Sequence, residues 1–333
     1  MTKKKVIVMV VAALLAGALA RAYVQQVTLP KRGLEKSAAA AGIPRHAVIA
    51  HRGASYLAPE ETAPAYVLAR DMGADLLEGD IQRTKDGVLV LLHSHAVGET
   101  TNAAQLFPGR ANDPVDSFTL AELKRLDAGS WFNAAHPRRA RAGYAGLKIL
   151  TLDELVTIAE SGTANRPALY LETKSPERFP GVERDLVELL RRRGWLGTFP
   201  GPERRAKVIF QSFRPESLAR LRELAPEVPR VRLFGSKLFD RAAWDAMTRE
   251  IAGGGAQGVG PTAYLCWPWN VSTAHRAGLL VHPYTVNAVW QFRILALLGA
   301  DDGCFTDRCD QSLRFYGRPL LGQPEAILAR NGY

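Results

Sequence analysis

Short apolar runs recur along this chain and alternate with helical patterns, and few folds accommodate such an order. Nine runs have the length and composition of strands; they cover residues 47–51, 74–82, 88–93, 168–174, 207–213, 230–235, 256–260, 279–286 and 302–307. Helical segments such as TAPAYVLARDMG, SLARLRELA and NAVWQFRILALLG lie between most of them. This alternation predicts an α/β fold in which a parallel sheet is connected by crossover helices.

One junction does not follow the alternation. The segment QRTKDGV, residues 82–88, contains the tight-turn signal Asp86-Gly87, whereas a parallel crossover needs a dozen or more residues. We therefore expect the run 88–93 to return antiparallel, as a hairpin partner of the run before it. The remaining eight runs match the strand number of a TIM-type (β/α)8 barrel, and a chain of 333 residues is long enough to form one.

The predicted domain order has four parts. Residues 1–20 form a signal peptide or N-terminal anchor, residues 21–45 a polar linker, residues 46–320 the barrel, and residues 321–333 a C-terminal tail. Residues 94–147, within the barrel, have no good strand pattern and several Pro and Gly residues, which predicts an insertion after the hairpin strand. Capping boxes predict that helices begin after Thr119 and Thr151.

The beginning of the chain has the composition of an export signal. Three lysines precede an uninterrupted non-polar stretch from Val6 to Ala20, which ends in the small-x-small pattern Ala18-Leu19-Ala20. This pattern is typical of a cleaved secretory signal, although residues 22–24 would extend it into a membrane anchor. We expect an exported protein, periplasmic or extracellular, that is either released by cleavage or held at the membrane by residues 6–20.

The charge of the chain limits the class of binding partner. The chain has 43 Lys and Arg against 33 Asp and Glu, a net charge of +10, which suits an anionic substrate or an anionic membrane surface. It has no basic run with interleaved aromatic residues, which argues against nucleic acid as a partner.

Its three cysteines form no metal-binding pair. Cys304 and Cys309 are close enough in sequence for a disulfide, with buried free thiols as the alternative, and the sequence does not specify an oligomeric state.

Acidic side chains stand at the ends of two predicted strands. The active site of a parallel barrel lies at the carboxyl ends of its strands, and Glu78, Asp80 and Glu172 occupy such ends. Glu78 and Asp80 are two positions apart, so they point to the same side of an extended strand. Burying these carboxylates together is costly unless a cation lies between them. An all-oxygen ligand set favours calcium or magnesium over zinc. The alternative is that the acids pair with Arg52, Lys174 and Arg83 without metal.

Two histidines and two basic residues complete the predicted site. His51 and His93 both end apolar runs, and imidazole groups that titrate near neutrality can act as base and acid in one reaction. Arg52 offers a planar fork of donors that matches a phosphate, and Lys174 adds a second positive charge. Together with a metal, these four side chains would form a site for phosphoryl oxygens.

These residues resemble the motifs of the glycerophosphodiester phosphodiesterase family, whose members are barrel-fold, metal-dependent hydrolases. The motifs occur in family order as His51-Arg52-Gly53, Pro59-Glu60-Glu61-Thr62, Glu78-Gly79-Asp80, Thr84-Lys85-Asp86-Gly87, His93, Glu172-Thr173-Lys174, Ser212-Phe213, Thr285-Val286-Asn287 and Thr306-Asp307-Arg308. Each motif is short, but their ordered combination, from about Val48 to Asp310, is specific.

The resemblance implies a role for each site residue. It implies His51 and His93 as the acid and base pair, Glu78, Asp80 and Glu172 as metal ligands, and Arg52 and Lys174 as the phosphate-binding residues. The implied substrate is a small glycerophosphodiester, and the products are sn-glycerol 3-phosphate and an alcohol; the glycerol hydroxyl next to the ester is a proposed internal nucleophile. Exported members tend to be associated with calcium, so the expected cofactor is one divalent cation, Ca²⁺ ahead of Mg²⁺.

Three positions depart from the family pattern. Glu61 replaces an asparagine, Ser94 replaces the aspartate after the second histidine, and Glu99 replaces an arginine. We expect these changes to alter the mouth of the site and the choice of substrate while activity is kept. His95 is expected near the site but dispensable.

Two other functions stay open at this point. One is a lysophospholipase D-type phosphodiesterase that acts on membrane lipids, and the other is a binding protein with a degenerate site. The aromatic pair Trp267 and Trp269 either lines the substrate cleft or packs under a loop.

Overall fold

The computed structural model describes residues 31–202, 204–235 and 240–333, together with residues 14, 17, 20 and 23. Nine strands in this part of the chain form one sheet. They are β1 (Ala47–Ala50), β2 (Leu76–Arg83), β3 (Leu89–Leu91), β4 (Ala168–Thr173), β5 (Val208–Ser212), β6 (Arg230–Phe234), β7 (Gly258–Pro261), β8 (Leu280–Val281) and β9 (Gly303–Thr306). All nine predicted strands are therefore present.

The parallel strands follow the order β8-β7-β6-β5-β4-β2-β1-β9. Strand β1 pairs with both β2 and β9, so the first and last strands of the sheet meet. The gap between β8 and β9 is bridged by backbone hydrogen bonds: the Val286 N–H donates to the Phe305 carbonyl (2.9 Å), and the Phe305 N–H donates to the Pro283 carbonyl (3.0 Å). The sheet is thus a nearly closed barrel of eight parallel strands, which confirms the predicted fold class.

The hairpin prediction is also confirmed. Strand β3 pairs antiparallel with β2, with Ile81 opposite Leu91. At the turn between them, Gly87 has a φ of +85°, a conformation that side chains disfavour. The tight turn therefore makes β3 an antiparallel partner of β2, whereas crossover connections join the parallel strands.

Helices connect the strands and cover the outside of the barrel. In chain order they are α1 (Lys31–Ala41), α2 (Ala63–Met72), α3 (Ala103–Leu106), α4 (Leu120–Leu123), α5 (Ser130–Ala135), α6 (Leu152–Glu160), α7 (Val182–Arg192), α8 (Pro215–Leu224), α9 (Arg241–Gly253), α10 (Pro268–Arg276), α11 (Val289–Leu297), α12 (Cys309–Phe315) and α13 (Pro324–Arg330). The predicted capping boxes at Thr119 and Thr151 begin α4 and α6.

Alternate residues of each strand point into the barrel and form its interior core. This core contains small and branched side chains such as Ala47, Ile49 and Leu76. Leu34 and Ala38 of α1 pack into the same cluster, so α1 covers the end of the barrel where the strands begin. Helix α1 lies within residues 21–45, for which we expected a polar linker.

Two peripheral segments pack on the barrel. The segment predicted as a C-terminal tail contains α13, whose Ile327 and Leu328 are buried in the cluster between the sheet and its helices. The described chain forms no strand between residues 94 and 147; short helices there enclose a small core that includes Val115 and Phe118.

Cys266, Cys304 and Cys309 are buried free thiols, so the Cys304–Cys309 disulfide is not formed. None of the helices within the described residues has the length and apolarity that a membrane span needs. Most of the predicted signal or anchor, residues 1–20, lies outside the described residues.

Candidate active site

A cleft of about 220 Å³ opens at the carboxyl ends of the strands. All seven residues that the sequence singled out line it: His51, Arg52, Glu78, Asp80, His93, Glu172 and Lys174. The remaining lining residues are Gln211, Phe213, Leu233, Tyr284, Thr285 and Phe305. The structure therefore brings together side chains from the ends of several strands, as the barrel geometry requires.

Strand β2 contributes two acids because of its alternating side-chain directions. Glu78 and Asp80 point into the cleft, and Gly79 between them faces outward. A Cβ on Gly79 would lie 2.7 Å from a methyl carbon of Leu91 and 2.9 Å from the hydroxyl of Tyr66. Glycine at this position therefore lets the hairpin strand and α2 pack closely behind the two acids.

The turn after β1 places Arg52 beside these acids. Arg52 and Gly53 both have positive φ, +55° and +84°, and a Cβ on Gly53 would lie 2.7 Å from the backbone of Ala65. In this conformation the Arg52 N–H donates to the Glu78 carboxylate (2.8 Å). The Arg52 guanidinium lies 3.5 Å from Asp80. The sequence His-Arg-Gly thus places Arg52 at the end of β1. Only glycine fits at position 53, because a side chain there would meet the backbone of Ala65.

The three acids form a compact buried cluster. Carboxylate oxygens of Glu78, Asp80 and Glu172 lie within 4.8 Å of one another. The Lys174 ammonium lies 3.3 Å from Asp80 and 3.5 Å from Glu172, and Gln211 donates to Glu78 (3.0 Å). Within the described part of the chain, both Asp80 carboxylate oxygens are buried and accept no hydrogen bond.

Burial and mutual repulsion shift the pKa values of these acids. Burial, followed by the charge of Asp80, raises the pKa of Glu172 to about 8 and the pKa of Glu78 well above its usual value. For Asp80, burial acts upward, but Lys174 and Arg52 outweigh it, so the pKa of Asp80 is lowered. The cluster therefore holds protons that a bound cation would displace.

The donor set fits a hard divalent cation. Calcium and magnesium take oxygen ligands, and three converging carboxylates, one with two unsatisfied oxygens, supply them. Arg52 and Lys174 alone would balance only two of the three charges if all three carboxylates were ionised. Glu78, Asp80 and Glu172 therefore form an acidic cluster that could hold such a cation.

His51 is held by an aspartate at the other end of the chain. Its Nδ1 lies 2.7 Å from a carboxylate oxygen of Asp307. The Asn287 amide donates to the other Asp307 oxygen (2.6 Å), and the Ser55 hydroxyl donates to the first (3.1 Å). Because Asp307 accepts at Nδ1, the Nε2 of His51 is left for the cleft. The sequence motifs included Asp307 and Asn287, but we assigned them no site role.

His93 is positioned through its backbone. The buried amide of Gln82 donates to the carbonyls of Leu92 (2.6 Å) and Ser94 (2.9 Å), the residues on either side. Burial lowers the pKa of His93 to about 4; Arg52 acts in the same direction, and Asp80 opposes it. His93 is therefore uncharged at neutral pH and can accept a proton.

Comparisons with known proteins identify the family. The sequence model of the glycerophosphoryl diester phosphodiesterase family matches residues 51–311, which contain all of these site residues. The chain belongs to this family. A glycerophosphodiester phosphodiesterase of Bacillus subtilis (strain 168) is 40% identical over 239 residues, which cover 72% of this chain and 76% of that protein.

Two further family relatives support the assignment. A glycerophosphodiester phosphodiesterase of Caldanaerobacter subterraneus subsp. tengcongensis is 30% identical over 261 residues, 78% of this chain and 93% of that protein. Among solved structures, a phosphodiesterase of Oleispira antarctica in complex with the product sn-glycerol-3-phosphate superposes with a TM-score of 0.65. That structure is 25% identical in sequence and covers 81% of this chain and 96% of its own.

The departures from the family pattern do not lie where we expected. None of Glu61, Ser94 and Glu99 is among the described residues that line the cleft. Glu61 is buried behind β2, where it accepts a hydrogen bond from the Asp80 N–H (2.7 Å). Ser94 is buried, and Glu99 is exposed on the insertion. None of the three side chains therefore lines the cleft itself, and their effect on the choice of substrate stays a prediction. His95, expected near the site, is exposed and also absent from the described lining.

The cleft of this family member has a charged side and an apolar side. The apolar side consists of Phe213, Leu233, Tyr284 and Phe305. Trp267 and Trp269, one possible lining of the cleft, instead stack on each other at 5.3 Å and are largely exposed.

Proposed function

We propose that this chain hydrolyses small glycerophosphodiesters to sn-glycerol 3-phosphate and an alcohol. One observation carries the proposal: three carboxylates within 4.8 Å of one another share a cleft with two histidines, an arginine and a lysine, in a chain of this family. Metal, proton-transfer groups and phosphate-binding charges are the parts that hydrolysis of a phosphodiester needs.

Glu78, Asp80 and Glu172 are the proposed ligands of one divalent cation, with Ca²⁺ ahead of Mg²⁺. When bound, such a cation polarises a phosphoryl oxygen and stabilises the charge that develops in the transition state. The ligands come from two paired strands, since Asp80 lies directly opposite Glu172 in the β2–β4 register. The sheet itself thus sets the distance between the ligands.

The other side chains bind the phosphate and move protons. Arg52 and Lys174 bind non-bridging oxygens, because their charges lie at the same wall of the cleft as Asp80. Neutral His93 accepts the proton of the nucleophile, a water or the adjacent glycerol hydroxyl, as its oxygen attacks phosphorus. As the phosphorus–oxygen bond to the alcohol breaks, Nε2 of His51 donates a proton to the leaving oxygen. When the glycerol hydroxyl is the nucleophile, a second step follows: a water gives its proton to Nε2 of His51 and opens the cyclic phosphate, and His93 returns its proton to the glycerol oxygen.

The roles of the two histidines follow from their surroundings. Asp307 balances the positive charge that forms when His51 holds a proton on both nitrogens. His93 has no such carboxylate at hydrogen-bonding distance among the described residues, and its pKa is lowered to about 4. Base and acid are therefore assigned to His93 and His51.

Export remains part of the proposal. The lysines and the apolar stretch from Val6 to Ala20 support a periplasmic or extracellular location, with cleavage or membrane anchoring as the two outcomes. The apolar side of the cleft supports a second candidate function, a lysophospholipase D-type activity, because an acyl chain needs an apolar surface beside the scissile bond.

The test is release of sn-glycerol 3-phosphate by the purified full chain in detergent. Glycerophosphocholine and lysophosphatidylcholine are compared as substrates with Ca²⁺, with Mg²⁺ and with a chelator. We expect release from glycerophosphocholine that a chelator abolishes and one metal restores. Faster release of lysophosphatidic acid from lysophosphatidylcholine would favour the second candidate.

Variants assign the chemistry to this cleft. His51→Ala and Glu172→Gln are expected to lose activity, whereas His95→Ala, an exposed histidine of the same region, is expected to retain it. No release from either substrate by a folded protein would contradict both hydrolytic functions and favour a binding protein. Activity that survives both Glu172→Gln and the chelator would contradict the proposed metal site.

A further inference from the structure

Helix α11 is apolar on both of its sides. Phe292 and Leu295 face the core, but Trp290, Ile294 and Leu297 on the opposite side are 63%, 46% and 69% exposed. A helix on the outside of a globular protein normally presents polar residues to water, and a helix that is apolar all round is normally buried. We call Trp290, Ile294 and Leu297 the outer face of α11. Its apolar composition is typical of a surface that packs against another molecule.

A second exposed aromatic group lies on the neighbouring strand–helix unit. Trp267 and Trp269 stack with an interplanar angle of 1°, and they are 49% and 39% exposed. They follow β7, and Trp290 follows β8. Since parallel strands end at the same edge of the barrel, all three tryptophans lie at the edge where the cleft opens.

The charge of this region favours an anionic partner. The chain has no Asp or Glu between Glu250 and Asp301, although the whole protein has 33. Arg276 and Arg293 within this stretch are exposed. Pairing of this stretch with itself in a second copy would bring like charges together, whereas an anionic bilayer surface attracts them.

Tyr23 contacts the same helix. The Tyr23 hydroxyl donates to the backbone carbonyl of Leu297, the last residue of α11. The apolar stretch from Val6 to Ala20 ends three residues before Tyr23. Leu14 within it is 68% exposed.

We propose that the outer face of α11, together with Trp267 and Trp269, docks on the surface of an anionic phospholipid bilayer. Tryptophan is enriched at membrane–water interfaces, and isoleucine and leucine beside it would enter the boundary of the acyl chains. Arg293, on the same helix as Trp290, would face the headgroups. Docking in this orientation places the mouth of the cleft beside the lipid headgroups and is independent of turnover.

The test uses tryptophan fluorescence of the full chain with vesicles of phosphatidylcholine and phosphatidylglycerol whose acyl chains carry bromine. Bromine quenches only tryptophans that reach the acyl boundary, so an N-terminal anchor alone produces no such quenching. We expect quenching in the wild type, loss of its largest part in Trp290→Phe, and a further loss when Trp267 and Trp269 are also replaced by Phe. Trp195→Phe, a buried residue after α7, is the control and keeps the quenching.

A second pair of variants tests the apolar contact itself. Ile294→Ser with Leu297→Ser is expected to reduce the quenching of Trp290 several-fold. Leu106→Ser with Leu321→Ser, two exposed leucines elsewhere on the surface, is expected to leave it unchanged. Absence of quenching in the wild type, equal loss in Trp195→Phe, or a dimer that shields Trp290 from vesicles would overturn the proposal.

Discussion

Nδ1 of His51 and a carboxylate oxygen of Asp307 lie 2.7 Å apart, although 256 positions separate the two residues in the chain. Their strands are neighbours: β1 pairs with β9, with Ala50 opposite Thr306. The histidine and the aspartate each follow directly after their strand, so the strand register alone brings them together. Asn287 then holds Asp307 through two hydrogen bonds, one to its side chain and one from its backbone N–H.

Replacing Asp307 by asparagine should impair catalysis more than binding. The amide no longer balances a charge on His51 and permits the wrong tautomer, so we expect kcat to fall by about 10²- to 10⁴-fold with little change in KM. Steady-state kinetics with glycerophosphocholine measures both constants. Asp310→Asn is the control, because Asp310 pairs with Arg308 and does not contact His51; equal losses in the two variants would contradict the assigned role.

Replacing Gln82 by leucine should displace His93. The change leaves two backbone carbonyls beside His93 without their donor, and misplacement of a catalytic group by about 1 Å costs about 10²-fold in rate. The measurement is kcat together with the free energy of unfolding in urea. Gln257→Leu is a matched control, because Gln257 also bonds two backbone groups, those of Arg230 and Gly255, but at the opposite end of the barrel. It should lose stability and keep kcat.

Cation binding should stabilise the protein through the three acids. A ligand that binds only the folded state adds about 2.7 kcal/mol to the free energy of unfolding at 100 times its dissociation constant. We expect Ca²⁺ to raise the unfolding midpoint of the wild type and a chelator to reverse the effect. Glu172→Gln should remove most of the gain, whereas Glu177→Gln, which changes an exposed partner of Arg214, should not. An equal gain in Glu172→Gln would place the cation elsewhere.

Replacing Glu61 by glutamine should stabilise the metal-free protein at neutral pH. Burial, followed by the charge of Asp80, raises the pKa of Glu61 well above its usual value. A raised folded-state pKa means that the folded protein retains this proton, so stability declines as pH rises above the unfolded value of about 4.3. Glutamine can still accept from the Asp80 N–H and has no charge to bury. We expect a gain of about 1 to 3 kcal/mol that disappears in acid.

Urea unfolding of both proteins from acid to neutral pH, with chelator present, measures this difference. Parallel curves for wild type and Glu61→Gln would show that Glu61 does not hold the proton.

Strand positions and site residues were predictable because each depends on local sequence. Apolar runs marked the nine strands, and the turn at Asp86-Gly87 identified the antiparallel one. The site residues could be predicted as one group because the parallel strands of a barrel end at the same edge. Glu78 and Glu172, at the ends of two such strands, were therefore expected near each other.

The supporting interactions were not predictable, because they depend on register and packing. Gln82 bonds the carbonyls on either side of His93, beyond the end of β3, and Glu61 accepts from a backbone N–H behind the cleft. Helix α1 was missed because its apolar residues, Leu34 and Ala38, are few among polar and small ones. Their burial depends on the open end of the barrel, which a local pattern does not reveal.

Pairing of β1 with β9 also determines when the enzyme becomes competent. A ribosome must synthesise nearly the whole barrel before His51 acquires its aspartate, so every shorter nascent chain lacks the His51–Asp307 pair. Contacts between such distant residues also form late in folding, because the loop between them must close first. After dilution from urea, recovery of hydrolysis should therefore lag behind recovery of helical circular dichroism.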